Sequence, residues 1–340
     1  MKNINPVVII DFNSYERTIK YIEDFVNYVL IFNDLSFIIV DTTEENNNYY
    51  NFRDEIDKRL KINRSEKISV DDNDRVLEAM KYFVSISDKL VEIIHIKSRE
   101  NYGFAIANNI GANIAKDNYR FDHIIFSNSD ISFSKKFDLN KLIGVFAKNH
   151  EIALVGPKVI GLDGNNQSPC KQLSLWDRWN FNSLIWPINS IIRTKLLNTY
   201  DDLLILGKDE YVYRIIGAFM IFDFNKFMEI GMFDEGTFLY AEELIIAEKL
   251  IERNYKTLYV CSEEIIHEQG GSVNKKFSSY RTLKNKFESE MYYYKNYRQK
   301  SKATIFLSEI LFRIYLGKLI VVRKIKNSFL DIISIFRGEK

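Results

Sequence analysis

PVVIIDFNSYERTIKYIEDFVNYVLIFNDLSFIIVD, residues Pro6 to Asp41, decides the fold. Pro6 to Ile10 is a short continuous apolar run, the pattern of a strand buried on both faces. Asp11-Phe12-Asn13-Ser14 breaks it. From Tyr15 to Leu30, the residues Ile19, Ile22, Phe25, Val26 and Val29 recur at helical spacing and predict an amphipathic helix. Phe37 to Val40 predicts a second strand that ends at Asp41. Strand, helix, strand at this spacing is a βαβ unit, so the sheet is expected to be mainly parallel. Ligands of such sheets bind beyond the carboxyl ends of the strands, which places Asp11 and Asp41 on the ligand edge. The two acids read equally as acceptors for a base or ribose and as turn residues.

Outward from this unit, Thr42–Asp74 is polar and reads as a surface insertion, helical around Asp54–Leu60. Arg75–Ile86 reads as a helix and Val91–Ile96 as a third strand, with His95 a structural residue inside it. Small residues in Asn101–Ala112 allow a helix to pack closely on a sheet or a ligand. Phe121–Phe126 is a fourth strand, followed by Ser127-Asn128-Ser129-Asp130. An acid just past a buried strand can hold a divalent cation and a diphosphate, and hard oxygen ligands suit Mg²⁺ or Mn²⁺. Gly156–Val159 reads as a strand leading to a hairpin turn, and Lys256–Val260 as the last strand. Lys171–Tyr213 carries Trp176, Trp179 and Trp186, which read either as a ligand groove lined by aromatic rings or as core packing.

The second informative stretch is Gly217 to Ile246. Phe219–Phe222 is a buried strand, Phe224–Ile230 a short helix, and Gly231 its C-terminal cap. Glu242 and Glu243 open a further helix after the aromatic residues Phe238 and Tyr240. Acids at a helix start are favoured by its dipole. The sharper reading is a general base on a rigid element beside a concave site.

Together these segments resemble glycosyltransferase family 2. Its acceptor-side pattern, G-A-x-M and then G-x-F-D-E-x-F-x-x-Y-x-E-D-x-D, corresponds to Gly217-Ala218-Phe219-Met220, Gly231-Met232-Phe233-Asp234-Glu235, Phe238, Tyr240 and Glu242-Glu243. The chain has Glu-Glu where the family usually has Glu-Asp. Asn101–Gly111 is similar to the family's N-x-G-F-x-x-A-N-N-x-G segment beside the donor nucleotide. Asn128-Ser129-Asp130 stands at its D-x-D motif and is similar to the Asn-Pro-Asp of a rhamnosyltransferase-like branch. Gly156-Pro157-Lys158 and Asp163-Gly164 with Gln167 resemble G-P-K-x and D-G-x-x-Q, and His267–Ser272 resembles H-x-x-G-x-S.

The resemblance implies an α/β GT-A fold, a Rossmann-like αβα sandwich with a mainly parallel central sheet, over residues 1–275. A nucleotide-sugar half would reach about residue 135 and an acceptor half would cover 136–275, before a basic amphipathic helical extension at 276–340. The implied reaction is inverting transfer from a UDP- or dTDP-sugar, dTDP-rhamnose in that branch, to a hydroxyl of a saccharide or lipid-linked acceptor in cell-surface polysaccharide synthesis. Glu243 would be the base, with Glu242 as fallback, and Tyr240, Trp176 and Trp179 would face the acceptor. Asp11, Asn13, Asp41, Gly103, Asn109, Asn128, Ser129 and Asp130 would face the nucleotide sugar, and Asp130 with His267 would face Mn²⁺ or Mg²⁺. One rival, a sugar nucleotidyltransferase, normally has a Gly-rich loop after its first strand, and Asp11–Arg17 has no glycine. The other rival, a non-catalytic sugar-nucleotide or glycan-binding protein, is left open by the Glu-Glu pair and by Asn128.

Of 340 residues, 46% are hydrophobic and 27% charged, as in a soluble globular class. The two cysteines, Cys170 and Cys261, form no C-x-x-C, so neither a disulfide framework nor a zinc site is indicated and a cytoplasmic location is expected. The net charge of +1 is unevenly spread: Met291–Lys340 has eleven Lys/Arg against three Asp/Glu. Ile305–Ile325 within it shows a wide apolar face. That pattern fits an interfacial helix on an anionic membrane, placing the protein peripherally at the inner face of the plasma membrane. It equally fits a helix packed on the catalytic domain or on a second subunit in a homo-oligomer. No nucleic-acid partner is expected.

Overall fold

The computed structural model describes residues 4–32, 34–44, 47–70, 74–133, 136–172, 174–176, 179, 204, 206–268 and 279–337, with 279–280 and 322–337 as backbone alone. The chain divides into two compact units, Met1–Lys171 with Leu203–Tyr292, and Gln172–Asp202 with Tyr293–Lys340. The first unit holds β1 (Ile4–Asp11), α1 (Tyr15–Tyr28), β2 (Val29–Leu30), β3 (Asp34–Asp41), α2 (Asn47–Arg59), β4 (Lys61–Lys67), β5 (Val76–Ile86), β6 (Lys89–Ser98) and α3 (Phe104–Asn118). It continues with β7 (His123–Ser127), β8 (Ile131–Ser132), β9 (Phe137–Asp138), α4 (Leu139–Ile143), β10 (Ile152–Gly161) and β11 (Asn166–Ser168). After the second unit's first segment come β12 (Glu210–Val212), β13 (Phe219–Asp223), α5 (Phe224–Glu229), α6 (Glu242–Glu252), β14 (Lys256–His267) and α7 (Ser279–Asn296). The long helix α8 (Lys302–Arg337) belongs to the second unit.

The central sheet runs β12-β14-β10-β13-β7-β1-β3-β6-β5-β4. Its core strands β7, β1, β3 and β6 are parallel, as are β10 and β14. Antiparallel pairing enters at β13 and at the outer strands. The apolar run of β1 has two partners because alternate side chains leave opposite faces. Val7 and Ile9 join Ile19, Ile22 and Phe25 of α1, while Val8 joins Ile110 and Ala112 of α3. Helices on both faces of the sheet make the αβα sandwich that the family resemblance implies, around the parallel strands expected from Pro6–Asp41.

Two readings change. Arg75–Ile86 is not a helix: residues Val76–Ile86 are β5, antiparallel to β6. Leu77 to Lys81 are good helix formers, but pairing overrides their propensity. The two-residue turn Ser87-Asp88, with φ of 48° and 64°, has the left-handed geometry of a tight hairpin. Thr42–Asp74 is more than a surface insertion, since α2 buries Tyr49, Phe52 and Ile56 and β4 extends the sheet. His95 is a core residue, with its ring centroid 4.3 Å from that of Tyr49 and 4.0 Å from that of Phe52.

Candidate active site

Parallel pairing of β1 and β3 puts Asp11 directly opposite Asp41. Both carboxylates are fully buried. Asp11 Oδ1 accepts from Ser14 N at 3.0 Å and Asn48 Nδ2 at 2.9 Å, and its Oδ2 accepts from the Thr18 hydroxyl. Burial, then repulsion from Asp41, pushes the Asp11 carboxyl up to about 6 against these hydrogen bonds. Asp41 is also raised by burial, while Thr43 and Lys97 hold it down. Its Oδ1 accepts from Thr43 N at 2.8 Å, and its Oδ2 lies 3.9 Å from Lys97 Nζ. The pair therefore ties the loops after β1 and β3 together. Asn13, at φ 52°, is exposed, and its N–H donates to Thr43 Oγ1 at 2.9 Å.

Gly103 and Asn109 meet the acceptor-side loop. Gly103 has φ +85°, and a Cβ there would lie 2.0 Å from the carbonyl oxygen of Phe238, so only glycine fits. The next residue, Phe104, donates its N–H to that oxygen at 2.9 Å. Asn109 is buried, and its side-chain amide accepts from Phe233 N at 3.2 Å and donates to Phe233 O at 3.0 Å and Glu235 Oε1 at 3.2 Å. The partners of both residues are thus protein groups, and Asn109 positions the loop that leads to Glu242.

The third group lies past β7. Asn128 N donates to Ala218 O at 2.9 Å, which brings the segment from Asn128 through buried Ser129 to Asp130 beside the start of β13. β8 pairs with the end of β14, placing His267 opposite Ile131. His267 Nε2 lies 3.3 Å from Asp130 Oδ1, a buried oxygen with no hydrogen-bond partner. His267 Nδ1 lies 2.7 Å from Gln167 Oε1. The tautomer that donates from Nδ1 to this acceptor leaves the Nε2 lone pair toward Asp130. Two lone pairs then face each other, an arrangement that a divalent cation satisfies. Gln167 is a site residue that the sequence reading misses, although its D-G-x-x-Q segment is recognisable.

The fourth group is the pair at the start of α6. Glu243 is half-buried, and its Oε1 accepts from Gly217 N at 2.9 Å, so the backbone before β13 holds its carboxylate. Glu242 is buried, and its Oε1 has no hydrogen-bond partner. Burial, then repulsion from Glu243, lifts the Glu242 carboxyl to about 8. Tyr240 and Ala241, just before the pair, sit at φ 76° and 70°. Burial raises the Tyr240 phenol, with Glu242 adding to the shift.

Trp176 and Trp179 belong to the second unit, where Trp179 packs edge to face on Phe312 of α8 at 5.5 Å between centroids. That is the core-packing role. Trp186 lies outside the described residues, as does the Gly-x-Ser that follows His267 in the family pattern.

The chain's sequence matches the family described as Glycosyl transferase family 2 over residues 49–230, more than half its length. No curated protein matches it. A crystal structure of GalNAc-T7 with UDP, GalNAc and Mn²⁺ is similar in fold, with a TM-score of 0.51 at 15% identity, over 79% of this chain and 44% of that one. The chain therefore spans less than half the length of that protein. The sheet order, the αβα layering and the family match give one conclusion: the chain belongs to glycosyl transferase family 2 and has a GT-A fold.

Proposed function

We propose that this glycosyltransferase moves a sugar, with inversion, from a UDP- or dTDP-sugar to a hydroxyl of a saccharide or lipid-linked acceptor in cell-surface polysaccharide synthesis. dTDP-rhamnose is one such donor. The observation that carries the reading is the placement of Glu243, fixed by Gly217 N next to the β13–β7 edge where Asn128 and Asp130 lie. Burial, then repulsion from Glu243, favours the protonated form of Glu242, and Glu243, held by Gly217 N, takes the role of base. Deprotonating the acceptor on the face opposite the leaving group suits a single inverting displacement. Asp130 and His267 would hold Mn²⁺ or Mg²⁺, which when bound neutralises the departing diphosphate. Among the described residues no cluster of three His, Cys, Asp or Glu could hold an ion. Two protein ligands with phosphates and water completing the shell is the usual Mg²⁺ arrangement. The UDP and Mn²⁺ in the GalNAc-T7 structure support this choice of donor and metal.

A panel of UDP-, dTDP- and GDP-sugars with Mn²⁺, read by thermal shift and nucleoside diphosphate release, tests the reading. Asp130→Ala should abolish turnover and weaken donor binding. Full activity of that variant in excess chelator would remove the metal role. Release from no donor at all favours the non-catalytic alternative.

The acceptor side of the reading includes a membrane surface. Phe306, Ile310, Ile314 and Val321 recur along one side of α8 and are exposed, Phe306 by 63%, while Ile305, Phe312 and Leu316 are buried on the other side. Lys302 and Arg313 are exposed nearby. Apolar residues beside basic ones suit an anionic cytoplasmic leaflet. Among the described residues no helix is long and apolar enough to cross a membrane. Binding to anionic liposomes that salt weakens supports the surface. A dimer with no liposome binding assigns the face to a second copy.

A further inference from the structure

We propose that Tyr292 and Ser289 of α7 are positioning residues of the active site, holding the loop between α5 and α6 in the shape that presents Glu243. The proposal deepens the function proposed above and rests on Glu243 as base. Residues 230–241 contain neither helix nor strand, so side chains and single backbone bonds must set their path. On one side α3 holds Phe233 through Asn109 and Phe238 through the Phe104 N–H. Arg75 adds a two-pronged grip on Glu235, at 3.1 and 2.8 Å.

On the other side stands α7. The Tyr292 hydroxyl donates to Asp234 Oδ1 at 3.0 Å, and the same oxygen accepts from Gly236 N at 2.7 Å. A Cβ on Gly236 would lie 2.3 Å from the Tyr292 ring, so the ring fills the space over that glycine. The Ser289 hydroxyl donates to Leu239 O at 2.8 Å. Directly after these anchors come Tyr240 and Ala241 in the left-handed region. Two such residues in a row are strained and persist only where their surroundings over-determine them. Of these anchors, Ser289 holds the residue nearest the strained pair, and Tyr292 holds the turn that feeds it. Both lie outside the 49–230 family match and in the helical extension expected from sequence, yet both fall in the first compact unit or at its end. If the loop relaxes, Glu243 moves, and misplacement of a reacting group by about 1 Å can cost about 10²-fold in rate.

The test compares Tyr292→Phe and Ser289→Ala with a matched control, Tyr255→Phe. Tyr255 also donates its hydroxyl to a carboxylate, Glu229 at 2.6 Å. Amide hydrogen exchange is followed over residues 233–243, and sugar transfer is measured in parallel. Each loop variant should speed exchange at residues 234–241 by about tenfold, the order expected for losing one buried hydrogen bond. Each should lower kcat by about 3- to 30-fold and leave the donor KM unchanged, whereas Tyr255→Phe should do neither. A merely structural role would lower melting temperature without this split. Unchanged exchange at 234–241 in both variants, or a kcat loss no larger than that of Tyr255→Phe, overturns the proposal. A wild-type protein that transfers no sugar counts against the function instead, and the exchange comparison still decides the anchoring.

Discussion

Two pairs of neighbouring carboxylates, Asp11 with Asp41 and Glu242 with Glu243, are held differently. Around Asp11 the chain supplies donors from Ser14, Thr18 and Asn48, while Asp41 Oδ1 accepts from the Thr43 N–H and its buried Oδ2, without a hydrogen-bond partner, faces the Lys97 ammonium at 3.9 Å. The loops behind them are also stitched together, with Thr42 N donating to Asp11 O at 2.9 Å. Around Glu242 and Glu243 the supply is backbone: the Gly217 N–H for Glu243 and the Glu242 and Tyr240 N–H groups for the Glu242 carboxyl, whose buried Oε1 has no hydrogen-bond partner. A carboxylate surrounded by the chain's own donors is fixed as part of the fold. One that burial has left short of donors keeps capacity for a proton. Asp11, Asp41 and Glu242 are all raised by burial, so a raised carboxyl alone does not mark the chemistry.

The largest expected effect separates the pairs by function. Glu243→Gln keeps size and the hydrogen bond from Gly217 but removes basicity. Turnover should fall by about 10²–10⁴-fold with donor affinity near normal, because Asp130 and His267, proposed to face the metal and the diphosphate, lie on other elements. Glu242→Gln should change turnover far less, since burial favours the protonated form of Glu242. Steady-state kinetics beside calorimetric donor binding would check this. A larger loss in Glu242→Gln than in Glu243→Gln hands the base to Glu242 and breaks the comparison as drawn.

Much of this was legible in the sequence, and the gaps have physical reasons. β1, α1 and β3 were readable because continuous apolar runs and a 3.6-residue period both point to burial. β5 was not, because Leu77–Lys81 favour helix locally and the hairpin turn uses Ser87 and Asp88 at positive φ rather than glycine. In the site, Asp130 and His267 were marked by motif and do meet. Asn109 was marked too, but its partner is Phe233, far along the chain, and no local pattern encodes that pairing. Tyr292 carries no sequence signal, because its role depends on α7 returning to the Asp234 turn.

The second effect is on stability and sharpens the comparison by pH. Glu242 has a folded-state value of about 8, above the ordinary 4.5. The folded state therefore binds more protons than the unfolded state between these values, and stability falls as pH rises through that window. The stabilising share of the protonated form is complete below about pH 4.5 and lost above about pH 8. Glu242→Gln cannot titrate, so its denaturant midpoint should decline less than the wild type's between pH 6 and about pH 8.5. Parallel curves for the two proteins over that range would mean that Glu242 is solvated in the folded state.

The smallest effect concerns Asp11. Its carboxyl is raised from 3.8 to about 6, so the folded state binds the extra proton in that lower window. The sign is the same as for Glu242: stability belonging to the protonated form is present below about pH 3.8 and lost as pH climbs through about 6. Asp11→Asn keeps Oδ1 as acceptor for Ser14 N and Asn48 Nδ2. Its new amide faces the Thr18 hydroxyl, which can rotate to accept instead of donate. The substitution should therefore cost no more than about 1 kcal/mol, the net value of one rearranged hydrogen bond. Because the amide never ionises, the variant should gain on the wild type between pH 4 and about pH 6.5 and then run parallel to it. Turnover should stay within about threefold, since removing one hydrogen-bonding role without a proton-transfer role is worth about that much. Urea titrations at pH 4, 5, 6 and 7, with transfer assays at pH 7, would measure both. A turnover loss near that of Glu243→Gln, with stability unchanged, would show Asp11 reaching the nucleotide sugar and not only the turn, and the two carboxylate pairs would then differ in partner rather than in kind.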